Sequence, residues 1–544
     1  MRVSAKSSPV QNIAQKKEGI VLDILSPHGK KGADFETAIE ATGYGKFHYL
    51  LLITVIPVLW CPSFDTGNMS MILPTAECEL KLTLFHKGIL NSIIYAGMIC
   101  SAFLWGYVAD VQGRRKLLIY GFLADAICNI LCGIAQDFWT LVFLKFSSGF
   151  IQSGPYAVTM SYCAEFHVTR NRSKVMMLLG LYGSMGIIMN AVLAWMIIPR
   201  DWSLVLFDQS FVLSSWRIYL MMCGVPTLVG VACLYFFPES PKFLMSRGHN
   251  DKALRILRKI YVMNTGNTPE SYPITSLENE LARGISADDE STTDIPKINF
   301  REGLSQMKPL FQFPLLVPLL LVVSLQFCVM LAGATFRLWM PQIFALLDKF
   351  SGENYNYSNG APGFCEILDF STAVTANNTV AAAESIVETE CKNIVVDDRV
   401  YLNSIIMSCT VAVGFVFVGA LLKFIGNKKL LLICLIISLV SILTMIWASE
   451  RFIILFLSCL YVGILTTLIN VVIGVAVEVF PTTLRTMAVS LTMMLGRVGS
   501  LLGNLLFPVL LTYGCIYPII ELSGFIAFAM LLTLVLPKPP GNLK

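Results

Sequence analysis

Gly106-Tyr-Val-Ala-Asp110-Val-Gln-Gly113-Arg114-Arg115-Lys116 is a charged interruption between two apolar runs, and its spacing decides the fold. Gly106 lets two helices approach closely and Gly113 permits a tight turn. Asp110 can accept hydrogen bonds from a helix N-terminus or pair with an arginine. A plain basic loop would explain Arg114 to Lys116 but not the Gly and Asp spacing. The same punctuation returns 313 residues later, where Gly419, Lys423 and Gly426 precede Lys428 and Lys429. Glu165 and Arg172 recur at that same offset as Glu478 and Arg485. A duplicated set of membrane helices, each half with the same loops, is the construction of a rocking transporter.

The composition agrees. The 544 residues are 55% hydrophobic and 14% charged, with a mean hydropathy of +0.67, about half the charge fraction usual in soluble chains. Apolar runs near 20 residues long can each cross a bilayer core of about 30 Å. Twelve are read, at 47–71, 88–108, 117–136, 140–163, 175–198, 217–237, 315–339, 401–422, 429–448, 452–475, 487–511 and 515–536. The expected layout is a tail at 1–46, a six-helix half at 47–237 and a central loop at 238–314. A second half follows at 315–536, with an outer loop at 342–398, and then a tail at 537–544. The first 46 residues hold no apolar run, so no cleavable signal peptide is expected. Lys and Arg gather in the loops at 109–116, 164–174, 238–312, 423–429 and 476–486, which places these and both termini in the cytoplasm. Short basic clusters without an aromatic-rich soluble domain do not suggest nucleic-acid binding.

The central loop reads as a basic amphipathic helix over Asp251–Tyr261, followed by a polar stretch near 264–296 with no helical period and expected flexibility. Most of the fifteen cysteines lie in apolar runs as small buried hydrophobes, and none has zinc or iron–sulfur spacing. Cys365 and Cys391 stand apart in the outer loop, beside the sequons of Asn356 and Asn377. A 365–391 disulfide and glycosylation at those asparagines are expected. The sequon at Asn171 falls on the cytoplasmic side and is set aside.

The 106–116 segment resembles the signature loop of the major facilitator superfamily. Val111 stands where that family usually has a basic residue, and Lys423 replaces the second-half aspartate, so only the first copy is complete. The resemblance implies a cytoplasmic ion-pair latch built from Gly106, Asp110, Gly113, Arg114, Glu165, Arg172, Glu239, Glu478 and Arg485, which holds an outward-facing state. Plain anchoring of helix ends at the interface is the simpler alternative. The segments Met71–Glu77, Ala102–Asp110, Ser161–Phe166, Ala194–Pro199 and Ser215–Tyr219 look like the synaptic vesicle glycoprotein 2 group and its close relatives. Departures are a shorter outer loop, Leu178 and Ile469 where that group has tryptophans, and Ile473 where it has an acidic residue. Asn470 fits the pattern. These positions line the central cavity of that group, so its ligands do not carry over to this chain.

Ionisable residues inside a bilayer are expensive and are functional candidates by default. Asp65 lies in the first run, Asp125 in the third, Lys145 in the fourth and Arg497 in the eleventh. Asp65 and Lys145 sit at similar depth on neighbouring helices. Their pair would bind a charged solute, respond to protonation, or form a fixed structural bridge. Asp125 is a proton site or a packing residue, and Arg497 suits an anionic or zwitterionic group. Most tryptophans, Trp60, Trp105, Trp139, Trp195, Trp202 and Trp216, mark span ends as an interfacial belt.

The reading is an all-α membrane protein of twelve transmembrane helices in two pseudo-symmetric halves, with spans one, four, seven and ten lining the cavity as in the family. Neither an ATP-binding Gly-Lys-Ser/Thr signature nor a nucleophile–base or metal constellation emerges, so neither an enzyme nor a cofactor is expected. The expected function is facilitated or cation-coupled transport of a small polar solute, a sugar or organic ion by analogy, with H+ among the coupling ions. The alternative is a non-transporting vesicle protein whose loops bind partners. A monomer in a synaptic-type vesicle or plasma membrane is expected.

Overall fold

An apolar run inside a bilayer has no water to satisfy its backbone, and a helix is the arrangement that satisfies it within one segment. The computed structural model describes residues 32–200, 202–206, 211–278, 308–352, 363–369 and 397–536. Among them are twelve long helices. Spans 1 to 6 are Lys46–Ala76, Leu84–Gln112, Arg114–Ile134, Phe138–Glu165, Thr169–Ile197 and Ser215–Leu234. Spans 7 to 12 are Leu316–Gly352, Asp398–Ile425, Asn427–Thr444, Arg451–Val479, Thr482–Leu511 and Ile516–Val535. Ten are long and apolar enough to cross a membrane by length and composition. Spans 2 and 4, of 29 and 28 residues, pack among those ten. Span 1 is interrupted between Thr54 and Ile56, just before Pro57, whose ring offers no N–H to the helix. Span 7 continues as one helix to Gly352, beyond the position where the outer loop was expected to open.

The packing repeats with a shift of six helices. In the first half, spans 2 and 4, 3 and 4, 3 and 6, 1 and 5, and 1 and 6 pack together. The second half repeats each pair, as 8 with 10, 9 with 10, 9 with 12, 7 with 11 and 7 with 12. Spans 2 and 11, 5 and 8, and 1 and 7 join the halves. Gly97 and Gly149 set a tight crossing of spans 2 and 4, where a β-carbon on either would lie 2.2 Å from a carbonyl oxygen of the facing helix. Small residues serve this purpose in membrane helices, where close packing replaces the hydrophobic effect. Gly113 and Gly426, one repeat apart, turn the chain between spans 2 and 3 and between 8 and 9 at φ of 96° and 78°. A side chain is strained in that region by about 1–2 kcal/mol.

Gly106 and Gly419 do not have the close approach read from the sequence. Among the described residues, a β-carbon on either would meet nothing within 4 Å. The hydrogen bonds between halves explain why. Asn91 Nδ2 donates to Leu338 O (3.4 Å), Tyr401 Oη to Met71 O (3.4 Å) and Gln342 Nε2 to Glu77 Oε2 (3.5 Å). These lie at the end of the bundle remote from the 106–116 loop, so the described conformation is joined there.

A smaller unit contains the described residues 32–47 and 241–278. Within its described part, helices Phe35–Ala41 and Asn250–Thr265 are joined through Asn264, whose side chain bonds Phe47 N, Thr42 O and Gly43 O. Ala253, Leu257 and Ile260 form the buried stripe of the amphipathic helix. The polar stretch that follows is not free throughout. Tyr272 Oη donates to Ala38 O at 2.6 Å, and Ala33 and Leu277 form a parallel bridge.

Cys365 pairs with Cys515, 150 residues away, and not with Cys391. A helical turn at 364–369 is held at the start of span 12, where Cys515 N donates to Asp369 Oδ1 and Phe364 N donates to Ala448 O. Proximity along the chain pointed to Cys391, but this docking sets the partner. Cys78 is also disulfide-bonded. Cys391 and the sequons Asn356 and Asn377 lie outside the described residues. Non-reducing proteolysis and mass spectrometry should recover the Cys365 peptide joined to Cys515; a 365–391 crosslink would contradict this geometry.

Candidate functional site

Three spans contribute one turn or two each to a buried polar cluster in the first half. Span 1 presents Cys61, Asp65 and Asn68 on one face, span 3 presents Asp125 and Asn129, and span 4 presents Lys145 and Ser148. All seven side chains are at most 2% exposed. Lys145 Nζ lies 3.4 Å from Asp65 Oδ1 and 3.3 Å from Asn129 Oδ1. Asn129 Nδ2 donates to Asp65 Oδ1 at 2.7 Å and lies 3.4 Å from Asp125 Oδ2. Ser148 Oγ donates to Asp125 Oδ1 at 2.7 Å. The Cys61 thiol sits between the carboxylates, 3.0 Å from Asp125 Oδ2 and 3.4 Å from Asp65 Oδ2.

Three of the sequence-derived candidates, Asp65, Asp125 and Lys145, therefore meet in one site. Fully ionised, it holds two carboxylates against one ammonium. Cys61, Asp65 and Asp125 offer ligand atoms within 4.8 Å of one another, a spacing that could hold a metal ion. The Lys145 ammonium beside the same Asp65 oxygen already supplies a cation there. The uncharged members were missed. Their signal was helical spacing: Cys61 lies four residues before Asp65, Asn68 three after it, and Asn129 four after Asp125.

Arg497 lies elsewhere, in span 11, with its charge felt by Tyr95 of span 2 and Tyr156 of span 4. Span 7 adds Arg337, which the sequence reading overlooked although it is a cation within an apolar run. Its charge acts on Tyr95 of span 2, and it lines a small cavity of about 20 Å³ between the halves, with Ser70, Asn190 and Ser408. Asn470 in span 10 is exposed and stands apart from both groups.

The loop residues form a second constellation at one end of the bundle. Arg114 Nε lies 3.5 Å from Glu165 Oε1, and Arg115 N donates to Glu239 Oε1 at 2.9 Å. Arg115 also donates from its guanidinium to Tyr235 O, the carbonyl end of span 6. Arg172 Nε bonds the carbonyls of Ala164 and His167 at 3.2 and 3.0 Å, capping the end of span 4. In the second half, Lys428 Nζ donates to Leu534 O and Leu536 O, at 2.9 and 2.7 Å. It occupies the repeat position of Arg115 and likewise caps the sixth helix of its half. Among the described residues, Glu478 and Arg485 form no ion pair with each other; Glu478 is exposed. The side chains of Asp110 and Lys423 lie outside the described ones.

Residues 64–349 match the model of the sugar (and other) transporter family, and residues 397–544 match the model of the major facilitator superfamily. The rat synaptic vesicle glycoprotein 2B is 31% identical over 239 residues, 43% of this chain and 35% of that protein. The human synaptic vesicle glycoprotein 2A is 29% identical over 231 residues, 42% of this chain and 31% of that protein. The chain thus aligns with about a third of the length of these curated relatives. An inward-open structure of the xylose transporter from E. coli superposes with a TM-score of 0.61, at 16% identity, covering 91% of this chain and 97% of that one. A bacterial homologue of the human lysosomal transporter Spinster, inward-facing, gives 0.55 at 11% identity, covering 91% and 98%. These likenesses show the fold.

Removing one partner from a buried charge group leaves the other uncompensated, at a cost of about 3–5 kcal/mol. Lys145→Met should therefore lower the melting temperature of the detergent-solubilised protein sharply. Asp65→Asn added to Lys145→Met should restore part of the loss, because one carboxylate without its cation is neutralised. Additive losses in the double variant would contradict the pairing.

Proposed function

Because the chain belongs to the sugar (and other) transporter family of multi-pass membrane proteins, we propose that it carries a small polar solute by alternating access, with a proton cycling on the Asp65–Asp125–Lys145 cluster. The observation that carries this reading is the charge balance of that cluster. An unmatched carboxylate in a closed interior costs several kcal/mol, and a proton shared by the two carboxyl groups removes the cost. The Cys61 thiol contacts both carboxyl groups, so a proton can pass from one to the other through it, the sulfur accepting from one carboxyl as its S–H donates to the other. When one conformation admits water, ionisation becomes affordable and the proton leaves. The seven-residue network thereby ties proton occupancy to which side is open.

The excess of Lys and Arg in the basic loops supports a cytoplasmic 106–116 end. The halves are hydrogen-bonded at the opposite end, which supports reading the described conformation as inward-facing. Gly106 and Gly419, with open space before them, are positioned to meet other helices when that end closes. Arg114, Glu165, Arg115 and Glu239 brace spans 3 and 4 and the segment after span 6, and Arg114 also donates to Ala109 O of span 2, so the first half moves as one body that rocks against the second. A monomer in a vesicle or plasma membrane is the working arrangement, with glycosylation at Asn356 and Asn377.

Proteoliposomes containing the full chain test this reading with labelled sugars, amines and organic anions, with and without an inwardly directed proton gradient. The native protein should accumulate at least one solute class several-fold more with the gradient. Asp125→Asn should lose that stimulation while keeping solute exchange, and Arg114→Ala should change the rate of both. An Asp125→Asn protein still driven by the gradient would remove the proton role. Silence of the folded native protein over the whole panel would favour a partner-binding vesicle protein without transport.

A further inference from the structure

Three basic side chains buried in the spans have carboxylates within reach. Lys87 lies 2.7 Å from Glu77, Lys145 3.4 Å from Asp65, and Arg217 3.7 Å from Glu79. Arg337 and Arg497 differ. Among the described residues neither forms an ion pair; the charge of Arg337 acts on Tyr95, and that of Arg497 on Tyr95 and Tyr156, both tyrosines from the other half. Tyr95 is 4% exposed and interacts with both guanidinium groups, which brings the two arginines to one region. Spans 7 and 11 pack along each other, and span 11 also packs on span 2, so this region lies where the two halves meet. The cavity lined by Arg337 has Ser70 and Asn190 from one half and Ser408 from the other.

We infer that Arg337 and Arg497 form the charged part of the solute site and that the solute is a small organic carboxylate. This deepens the transport reading and rests on it for the word solute, although the binding claim can be tested alone. Tyrosine hydroxyls satisfy hydrogen bonds but carry no charge that offsets two guanidinium groups. A neutral sugar would leave both cations uncompensated in the interior, whereas a carboxylate presents two oxygens to the planar forks. Tyr95, Tyr156, Ser70, Ser408 and Asn190 supply neutral contacts around the remainder of the molecule. The charges of the halves are complementary in this account. The first half loses a negative charge on taking up its proton, and the second loses a positive one on taking up an anion. Closing the bundle around both together buries no added net charge.

The test is equilibrium binding to purified full-length protein, separate from transport. Radiolabelled lactate and succinate serve as the carboxylates, glucose and xylose as neutral sugars, and glycerol 3-phosphate as a phosphate ester. A carboxylate should bind at least ten-fold more tightly than either sugar. Arg337→Gln and Arg497→Gln should each weaken it by about ten-fold or more, the expected loss of one charged hydrogen-bond group. Arg497→Lys should recover part of the affinity, since it keeps the charge and loses the fork. Equal binding of sugars and carboxylates by the native protein would overturn the inference, as would a preference for the phosphate ester alone or no carboxylate binding. Carboxylate binding that both Gln variants retain, with native melting temperatures, would overturn it too. If carboxylates bind through the arginines yet proteoliposomes take up nothing, the site stands and the transport reading falls. If sugars are transported regardless of both arginines, the reverse holds.

Discussion

Lys145 has no exposed surface, and its ammonium lies inside a bundle whose exterior faces hydrocarbon. Such a charge cannot be solvated by water, so its partners must come from the protein. That requirement organises the first half. It fixes which faces of spans 1, 3 and 4 turn inward, since Asp65, Asn129 and Ser148 serve the network only on one face of each helix. It also explains why seven polar side chains tolerate complete burial: they form one connected group whose hydrogen bonds largely satisfy one another.

The same constraint acts differently in the second half. There Arg337 and Arg497 have tyrosines within range of their charge, and among the described residues no carboxylate pairs with them. The two halves share a backbone plan, with the same helix pairs in contact after a shift of six. They differ in the polar side chains they hold inside, Asp65, Asp125 and Lys145 in the first half and Arg337 and Arg497 in the second. Under the proposed reading, this repetition of fold with divergence of polar content would let one half manage the coupling ion and the other the cargo.

At the helix ends the repeat is kept by chemistry more than by identity. Arg115 and Lys428 both donate to the terminal carbonyls of the sixth helix in their half, where a cation is favoured by the helix dipole. Arg114 and Glu165 pair, while Glu478 at the repeat position is exposed. The first loop is thus the braced one, in keeping with Asp110 being replaced by Lys423 in the second copy.

The sequence by itself determined the class of fold. Apolar runs of bilayer length, the 313-residue repeat and the glycines at 113 and 426 are local properties, set by the cost of exposed backbone and of positive φ. It also singled out Asp65, Asp125 and Lys145, because a charge in an apolar run is visible without knowing its neighbours. Only the tertiary structure decided that these three share one site, that Asn129 and Cys61 join them, and that Asn470 does not. Arg337 was visible in the same way, but its significance depends on having Tyr95 and no carboxylate for company. Cys365 shows the limit most directly. Its nearest cysteine along the loop was Cys391, yet Cys515 is its partner, because covalent pairing follows distance in space and helix docking sets that distance.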